Sequence, residues 1–309
     1  MKIITLTLNP AFDVHCQCDD FDSCKESLAR ITSRQAGGKG VNISRALNSL
    51  KTPSLAFCLL GEENGDEFER ILRADGVAPL SLRTKGRIRE NYTIHTKSRP
   101  ETRISFSGFE LDSSRLEDIE KLILPYVSSD SVVTLTGRLP AGICAKDVRK
   151  LLQALRNKGA RTVIDSRSFD LDELISARPW LIKPNAEEIS EYLKSSITDL
   201  YSAIDGAKEL YKKGISNVMI SLGGIGALLC SDSGIYLADA PRVEVVSTVG
   251  AGDSSIAGFI SAKQKGCSDA EALCLAVACG SAACTTQGTN APKLEMIEAL
   301  RKKTEIKKI

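Results

Sequence analysis

Short β-rich runs alternate with helix-length amphipathic segments along most of this chain. That alternation narrows the fold more than any other feature, because it is the pattern of βαβ units, whose parallel strands need helices on both faces of the sheet. Ile3 to Leu8, Leu55 to Leu60, Val132 to Thr136, Thr162 to Asp165, Trp180 to Lys183 and Asn217 to Leu222 read as strands. Val41 to Leu50 reads as a helix, since Ile43, Leu47 and Leu50 fall on one apolar stripe. At 309 residues the chain has room for one large domain or two small ones. One pattern covers most of it, so the expectation is a single doubly wound α/β unit over 1–309. Two stretches break the alternation, about 11–35 and about 86–108. The second carries Tyr92, Ile94 and Thr96 in alternation and then Ile104-Ser105-Phe106. Both read as extended segments outside the main sheet that pair into a small β-sheet lid.

Several function classes drop out at this stage. Lysine plus arginine number 41 against 39 aspartate plus glutamate, a net charge of +2 that builds no electrostatic footprint for nucleic acid. The ten cysteines include no C-x-x-C pair, and a disulfide framework does not suit a chain of this length without a secretory pattern. The N-terminal apolar run is stopped by Asn9-Pro10 and is too short for a signal peptide. Ala272 to Pro292 lacks charge, but Gly280, Ser281 and the Thr285-to-Asn290 tract make it half polar. It reads as a buried helix, Ala272 to Cys284, followed by a loop, so no membrane partner and a cytoplasmic location are expected. The basic end, Arg301-Lys302-Lys303 and Lys307-Lys308, reads as a solvated helix terminus. No G-x-G-x-x-G follows the first strand, which disfavours a dehydrogenase. With two histidines, His15 and His95, both in the lid segments, a Ser-His-Asp triad is disfavoured as well. His15 with Cys16 and Cys18 lacks the spacing of a zinc site.

In an open parallel sheet, ligands bind outside the carboxyl ends of the strands. The strand ends of this chain lead into Asn9 with Asp13, Gly137, Asp165, Asn185 with Glu188, Gly223-Gly224, and Gly250-Ala251-Gly252-Asp253. The last of these lies between a β-like run, Val243 to Val249, and a helix striped by Ile256, Phe259 and Ile260. Glycines at such a turn let backbone amides converge on an anion at a helix N-terminus. Asp253 reads either as an N-cap or as a general base. The base is the sharper reading, because a carboxylate beside an anion-binding turn repels its ligand unless it has a proton to take. Gly37-Gly38-Lys39-Gly40 opens a second helix without matching the P-loop, and with Asn42 in the first turn it suits a polyhydroxylated ligand. The alternative is a tight turn with a solvated lysine.

Taken together, Thr5-Leu6-Thr7-Leu8-Asn9-Pro10-Ala11-Phe12-Asp13, the Gly37-to-Gly40 helix start, Lys183-Pro184-Asn185-Ala186-Glu187-Glu188, Ser221-Leu222-Gly223-Gly224-Ile225-Gly226-Ala227 and Thr248-Val249-Gly250-Ala251-Gly252-Asp253-Ser254 resemble the phosphofructokinase B branch of the ribokinase-like carbohydrate kinases. The likeness is greatest to its 1-phosphofructokinase and tagatose-6-phosphate kinase members. The motifs run in the family's order over nearly the whole chain. The resemblance implies a three-layer α/β/α core with a mostly parallel sheet, a β lid, and homodimers formed through the lids. It implies an ATP- and Mg²⁺-dependent kinase that phosphorylates a ketohexose phosphate, either fructose 1-phosphate or tagatose 6-phosphate. Asp253 would be the base, with the amides of Gly250, Ala251 and Gly252 on the transferred phosphoryl group. Asn185 and Glu188 would hold Mg²⁺ through water. Lys183, Ser221, Gly223 and Gly226 would line the ATP side, with Gly280, Ser281 and Gly288 near the adenine. Asp13, Gly37, Gly38, Lys39 and Asn42 would hold the sugar, and Arg89 its phosphate.

Four departures from the family pattern fall on the acceptor side. Arg89-Glu90-Asn91-Tyr92-Thr93 stands for Arg-Ile-Asn-Val-Lys, so a lysine gives way to Thr93. Thr102-Arg103-Ile104-Ser105 stands for Thr-Glu-Ile-Asn, and Gly137-Arg138-Leu139-Pro140 for Gly-Ser-Leu-Pro. No clean Asn-Arg-Val precedes the glycines, which leaves Lys25, Arg30 or Arg34 as phosphate partners. On one reading Arg103 and Arg138 supply the missing cation, since guanidinium suits phosphate. On the other, the pocket takes a different or unphosphorylated sugar. A catalytically silent sugar sensor on the same fold is the competing class, and the intact Gly-Ala-Gly-Asp element argues against it.

Overall fold

A computed structural model describes residues 1–21, 24–97 and 101–309. The parts of the expected lid at 22–23 and 98–100 lie outside the described residues. The main sheet runs, in spatial order, Ile306–Lys308 (β14), Gly234–Asp239 (β13), Gly226–Ser231 (β12), Asn217–Ser221 (β11), Leu181–Ile182 (β10), Arg161–Asp165 (β9), Val132–Thr136 (β8), Ile3–Thr7 (β1), Leu55–Gly61 (β4) and Pro79–Thr84 (β5). From β11 to β5 every pairing is parallel. All residues of β1 and β8 are buried, as the central strands of a sheet covered on both faces must be.

The alternation of side chains along these strands sorts them into two cores. Ile3, Val132, Val163 and Leu181 share one cluster with Ile43, Phe259 and Leu273. Those residues sit on the helices Lys39–Ser49 (α1), Ala251–Gln264 (α8) and Asp269–Ala283 (α9), with Ile297 of Leu294–Arg301 (α10) beside them. Ile4, Leu6, Val133, Leu135, Ile164 and Ile182 face the opposite way. They pack with the helices Gly65–Ala74 (α2), Arg115–Ile123 (α3), Arg149–Asn157 (α4), Leu171–Ala177 (α5), Ala186–Leu193 (α6) and Leu200–Lys212 (α7). The fold is therefore a three-layer α/β/α sandwich of the expected class. Among the described residues no helix is long and apolar enough to cross a membrane, and the uncharged tract after Asp269 forms the buried helix α9.

The second sheet holds Arg30–Gly37 (β3), Ala11–Gln17 (β2), Arg89–His95 (β6) and Thr102–Ser105 (β7) in that order. Its two faces differ sharply. Phe12, Val14 and Cys16 turn toward the core, where Phe12 meets Phe68 of α2 edge-on at 5.5 Å. Arg34 lies 4.0 Å over the Phe12 ring and is bonded to Glu67 of α2 at 3.0 Å and Glu90 of β6 at 2.9 Å. The other face carries Asp13, His15, Gln35, Arg89, Asn91, Thr93 and Arg103, brought level by the β2–β6 and β6–β7 registers.

Three expectations are corrected. Val243 to Val249 is not a strand: the run pairs with neither sheet and forms a loop whose Val246 and Ser247 amides bond the Cys284 carbonyl after α9, with Val245 and Val246 exposed. The basic end is a helix terminus only up to Arg301. Lys307 and Lys308 instead belong to β14, antiparallel to β13, where Lys307 bonds Asp239 at 2.8 Å and Lys308 lies over the Tyr236 ring. Arg34 is a structural clamp between lid and core, and its pairing with two carboxylates removes it from the candidate phosphate partners.

Because the fully buried Phe68 carries the seat of the second sheet, Phe68→Ala should cost about 3–5 kcal/mol in denaturant unfolding. A loss below about 1 kcal/mol would mean that the sheet is seated by something else.

Candidate active site

The carboxyl ends of the parallel strands converge on one cleft beneath the polar face of the second sheet. At its centre α8 begins at Ala251, with Gly250 as N-cap in the left-handed region at φ 79°, a conformation that glycine adopts without strain. Asp253 is thus two residues inside the helix and is not the cap, which removes the N-cap reading. The amide of Ala251 reaches Thr248 only at 3.4 Å, and the first amides of any α-helix lack partners within it. The turn therefore presents backbone donors and a positive helix end to the cleft.

Asp253 is 6% exposed, and its Oδ2 accepts a hydrogen bond from Asn42 Nδ2 of α1 at 2.9 Å. Burial pushes its pKa up to about 6, against the pull of Lys39, Asn42 and Lys183. Beside it, Asp165 at the end of β9 accepts from Lys39 Nζ at 2.8 Å and faces Lys183 Nζ at 4.0 Å. Burial acts to raise its pKa too, but the two lysines together hold it below the usual carboxylate range. Burial acts to lower the pKa of Lys39, and Asp165 and Asp253 more than compensate. The alternative reading of Lys39 as a merely solvated lysine is therefore corrected: it is partly exposed and is the ion-pair partner of Asp165.

On the acceptor side, a side chain at Gly37 would place its Cβ 2.1 Å from Asp13 Oδ2, so only glycine lets β3 lie against that carboxylate. Asp13 accepts from Asn91 Nδ2 at 3.1 Å, and burial raises its pKa. Arg89 lies near enough to Asp13 and Arg138 for both charges to act on it. Four buried polar atoms in this region, Asn9 Oδ1, Asn42 Oδ1, Asn91 Oδ1 and Arg89 Nε, have no partner in the protein. Buried donors and acceptors are normally satisfied, so their concentration here marks a surface built for a polar ligand. Arg103 stands directly across from Thr93 in the β6–β7 register but is paired with Glu101. Arg138, rather than Arg103, is thus the added arginine whose charge acts on Arg89.

On the other side of Asp253 opens a cavity of about 760 Å³ lined by Lys183, Asn185, Ser221, Gly223, Gly226, Gly252, Gly280 and Ser281. Its apolar wall is Val243, Val245, Ala276, Val277 and Cys284. Sequence reasoning missed Val243 and Val245 as site residues because it assigned them to a strand. Gly288 is not among the lining residues: a Cβ there would sit 2.9 Å from His15 Nε2 and 3.2 Å from Gln35 Oε1, which places it against the second sheet. Its neighbours Thr289 and Asn290 hydrogen-bond Gln35, a contact that nothing in the sequence signalled. Asn185 and Glu188 form a capping box at the start of α6, each side chain accepting from the other's backbone amide, and Glu188 also accepts from Arg167 at 3.1 Å. Asn9, Asn91 and Asp165 also went unassigned, and Asn9 and Asp165 were legible only as polar residues at strand ends.

Comparison with known proteins places the chain in a family. Residues 10–296 match the model of the pfkB family carbohydrate kinases. The chain is 33% identical over 259 residues to a 1-phosphofructokinase of Escherichia coli K12, covering 84% of this chain and 83% of that one. It is 29% identical over 306 residues to a 1-phosphofructokinase of Haemophilus influenzae, covering 99% and 98%. A crystal structure of Escherichia coli phosphofructokinase-2 in complex with potassium superposes with a TM-score of 0.91 at 26% identity, over 98% of both chains. The protein is a phosphotransferase acting on a sugar hydroxyl with ATP as phosphoryl donor, and it belongs to the pfkB family of carbohydrate kinases.

Proposed function

We propose that this kinase transfers the γ-phosphoryl group of ATP to a hydroxyl of a ketohexose phosphate, with fructose 1-phosphate first and tagatose 6-phosphate second among the candidates. The observation that carries the reading is the corner formed by Arg89 and Arg138 on the acceptor side of Asp253, where Arg89 Nε is buried without a partner. A buried, unpaired guanidinium nitrogen beside a second arginine fits a dianionic phosphate and is costly for a neutral sugar to leave unmet. The relatives named 1-phosphofructokinase support the same substrate class.

In this reading the 760 Å³ cavity takes the nucleotide, with the adenine between Val243, Ala276 and Gly280 and the phosphates running toward Lys183 and the turn at Gly250. Asp13, Asn42 and Asn91 take the sugar hydroxyls. Asp253 removes the proton as the acceptor oxygen forms its bond to phosphorus and the bond to the ADP oxygen breaks. The amides of Gly250, Ala251 and Gly252 receive the charge that spreads over the phosphoryl oxygens. The polar face of the second sheet closes the cleft and excludes water, which would otherwise hydrolyse ATP.

Mg²⁺ fits the donor set in one mode only. Among the described residues no cluster of three or more His, Cys, Asp and Glu could cage a metal. Mg²⁺ commonly keeps its waters and binds through one or two carboxylates and the substrate's phosphates. Glu188 and Asn185, both engaged in the capping box, would hold such an ion through water. Held there, such an ion would supply charge neutralisation for the phosphoryl group being transferred. The exposed Leu28, Ile31, Ile104 and Phe106 of the second sheet and its flank offer a surface for a homodimer through the lids.

ATP turnover on fructose 1-phosphate, tagatose 6-phosphate, fructose 6-phosphate, fructose and tagatose tests the substrate class. A phosphorylated ketose should be preferred, and turnover with free sugars alone would overturn the assignment of Arg89 and Arg138. Asp253→Asn should lower kcat by about 10²-fold or more while ATP binding is retained. Undiminished turnover in that variant would remove Asp253 as the base.

A further inference from the structure

Four charges meet where the acceptor and donor halves of the cleft join, Asp165, Asp253 and Lys183 buried and Lys39 partly exposed, and the proposed chemistry gives no role to Lys39 or Asp165. Lys39 comes from the start of α1, on the acceptor side. Lys183 follows β10, lines the nucleotide cavity, and its Nζ lies 2.9 Å from where a Cβ on Gly252 would stand, so it rests against the phosphate-binding turn. Asp165, whose side chain is 5% exposed, ends the strand between β8 and β10. Its Oδ2 takes Lys39 and its Oδ1 faces Lys183. Each carboxylate oxygen is thus directed to a lysine from a different half of the site, and Asp253, Asn42 and the turn complete the surroundings.

We propose that Asp165 is the positioning residue of the transfer step: it holds Lys39 and Lys183 as a pair of cations flanking the path of the phosphoryl group and keeps both off the base. This rests on the reading of Asp253 given above. Two lysines near two buried carboxylates have two arrangements. Were both ammonium groups to settle on Asp253, the base would be a stable carboxylate with little tendency to accept a proton. With Asp165 as the stronger partner, Asp253 keeps Asn42 as its direct contact and stays basic. The opposed pKa directions of the two aspartates agree with this division, since lysines pull Asp165 down while burial leaves Asp253 raised. Carboxylates pushed apart by their surroundings take different roles.

The test is Asp165→Asn, compared with the wild type and with Asp165→Glu, by kcat, sugar KM and the pH dependence of kcat/KM. Loss of the anchoring charge should lower kcat by about 10²-fold, as expected when a cation near the reacting atoms is misplaced, with sugar KM little changed. Freed lysines lean on Asp253, and the repulsion that Asp165 itself exerts on it is gone; both favour its ionised form, so the acid limb should move to lower pH by about one unit. Asp165→Glu, which keeps the charge, should restore the limb to its wild-type position. A variant with reduced kcat but an unmoved limb would overturn the proposal and leave Asp165 a structural residue. If Asp165→Asn does not fold, Asp165→Glu decides: a limb displaced as far as one unit despite the retained charge would overturn it, and a limb in place with lowered kcat supports it. A wild type silent on every sugar phosphate would sink the functional reading itself, whereas an active wild type with an unmoved variant limb sinks only this one.

Discussion

The cleft depends on one buried carboxylate, Asp165, held between two lysines beside a second, Asp253, that has no ion-pair partner of its own among the described residues. Asp165 and Asp253 lie at the carboxyl ends of covered strands and at a helix start, where ionised groups are costly unless matched. Lys39 and Lys183 both match Asp165, each from a backbone element that the sheet itself places, while Asp253 has Asn42 as its direct partner. Parallel strands bring their ends to one edge, α1 and α8 start at that edge, and the charge set can form only there. The two glycine-rich helix starts serve the same end, since close backbone approach lets Asn42 of one helix reach Asp253 of the other.

The second sheet extends this arrangement over the acceptor. Its apolar face is anchored through Phe12 on Phe68 and through Arg34 on Glu67, while alternation along β2 and β6 turns Asp13, Arg89 and Asn91 toward the cleft. One strand period therefore does two jobs, seating the sheet and furnishing the site. The segment at 288–290 ties the same sheet to the donor side, since Gln35 bonds Thr289 and Asn290 and a Cβ on Gly250 would lie 3.9 Å from Thr289 Cα.

Much of this was legible in the chain because parallel sheets leave a clear pattern: continuous apolar strands, striped helices, and polar or glycine residues at strand ends. Asp253, Asn42 and the glycines that line the large cavity announced themselves by motif and by position. What stayed hidden depends on contacts across long separations. Lys39 could not be paired with Asp165 from sequence, nor Arg34 with Glu67, nor Gln35 with Thr289. Val243 to Val249 was misread for a related reason, as β-propensity describes fit to a half-buried sheet surface and this run is held instead by the distant Cys284 carbonyl. The resemblance implied a place for Gly288 near the adenine, but a Cβ there would stand against His15 and Gln35 of the second sheet. Arg103 and Arg138 looked equivalent, and only the pairing of Arg103 with Glu101 separates them.

The central claim is that a buried aspartate with a raised pKa accepts the proton of the sugar hydroxyl. The pH dependence of kcat/KM, measured side by side for the wild type and for the residual activity of Asp253→Asn, tests it most directly. Because the base acts ionised, the wild-type rate should rise with pH through a single-proton limb centred near the Asp253 value of about 6, and that limb should be absent from the variant. A limb of the same position and slope in both proteins would belong to another group or to the nucleotide, and would contradict the account.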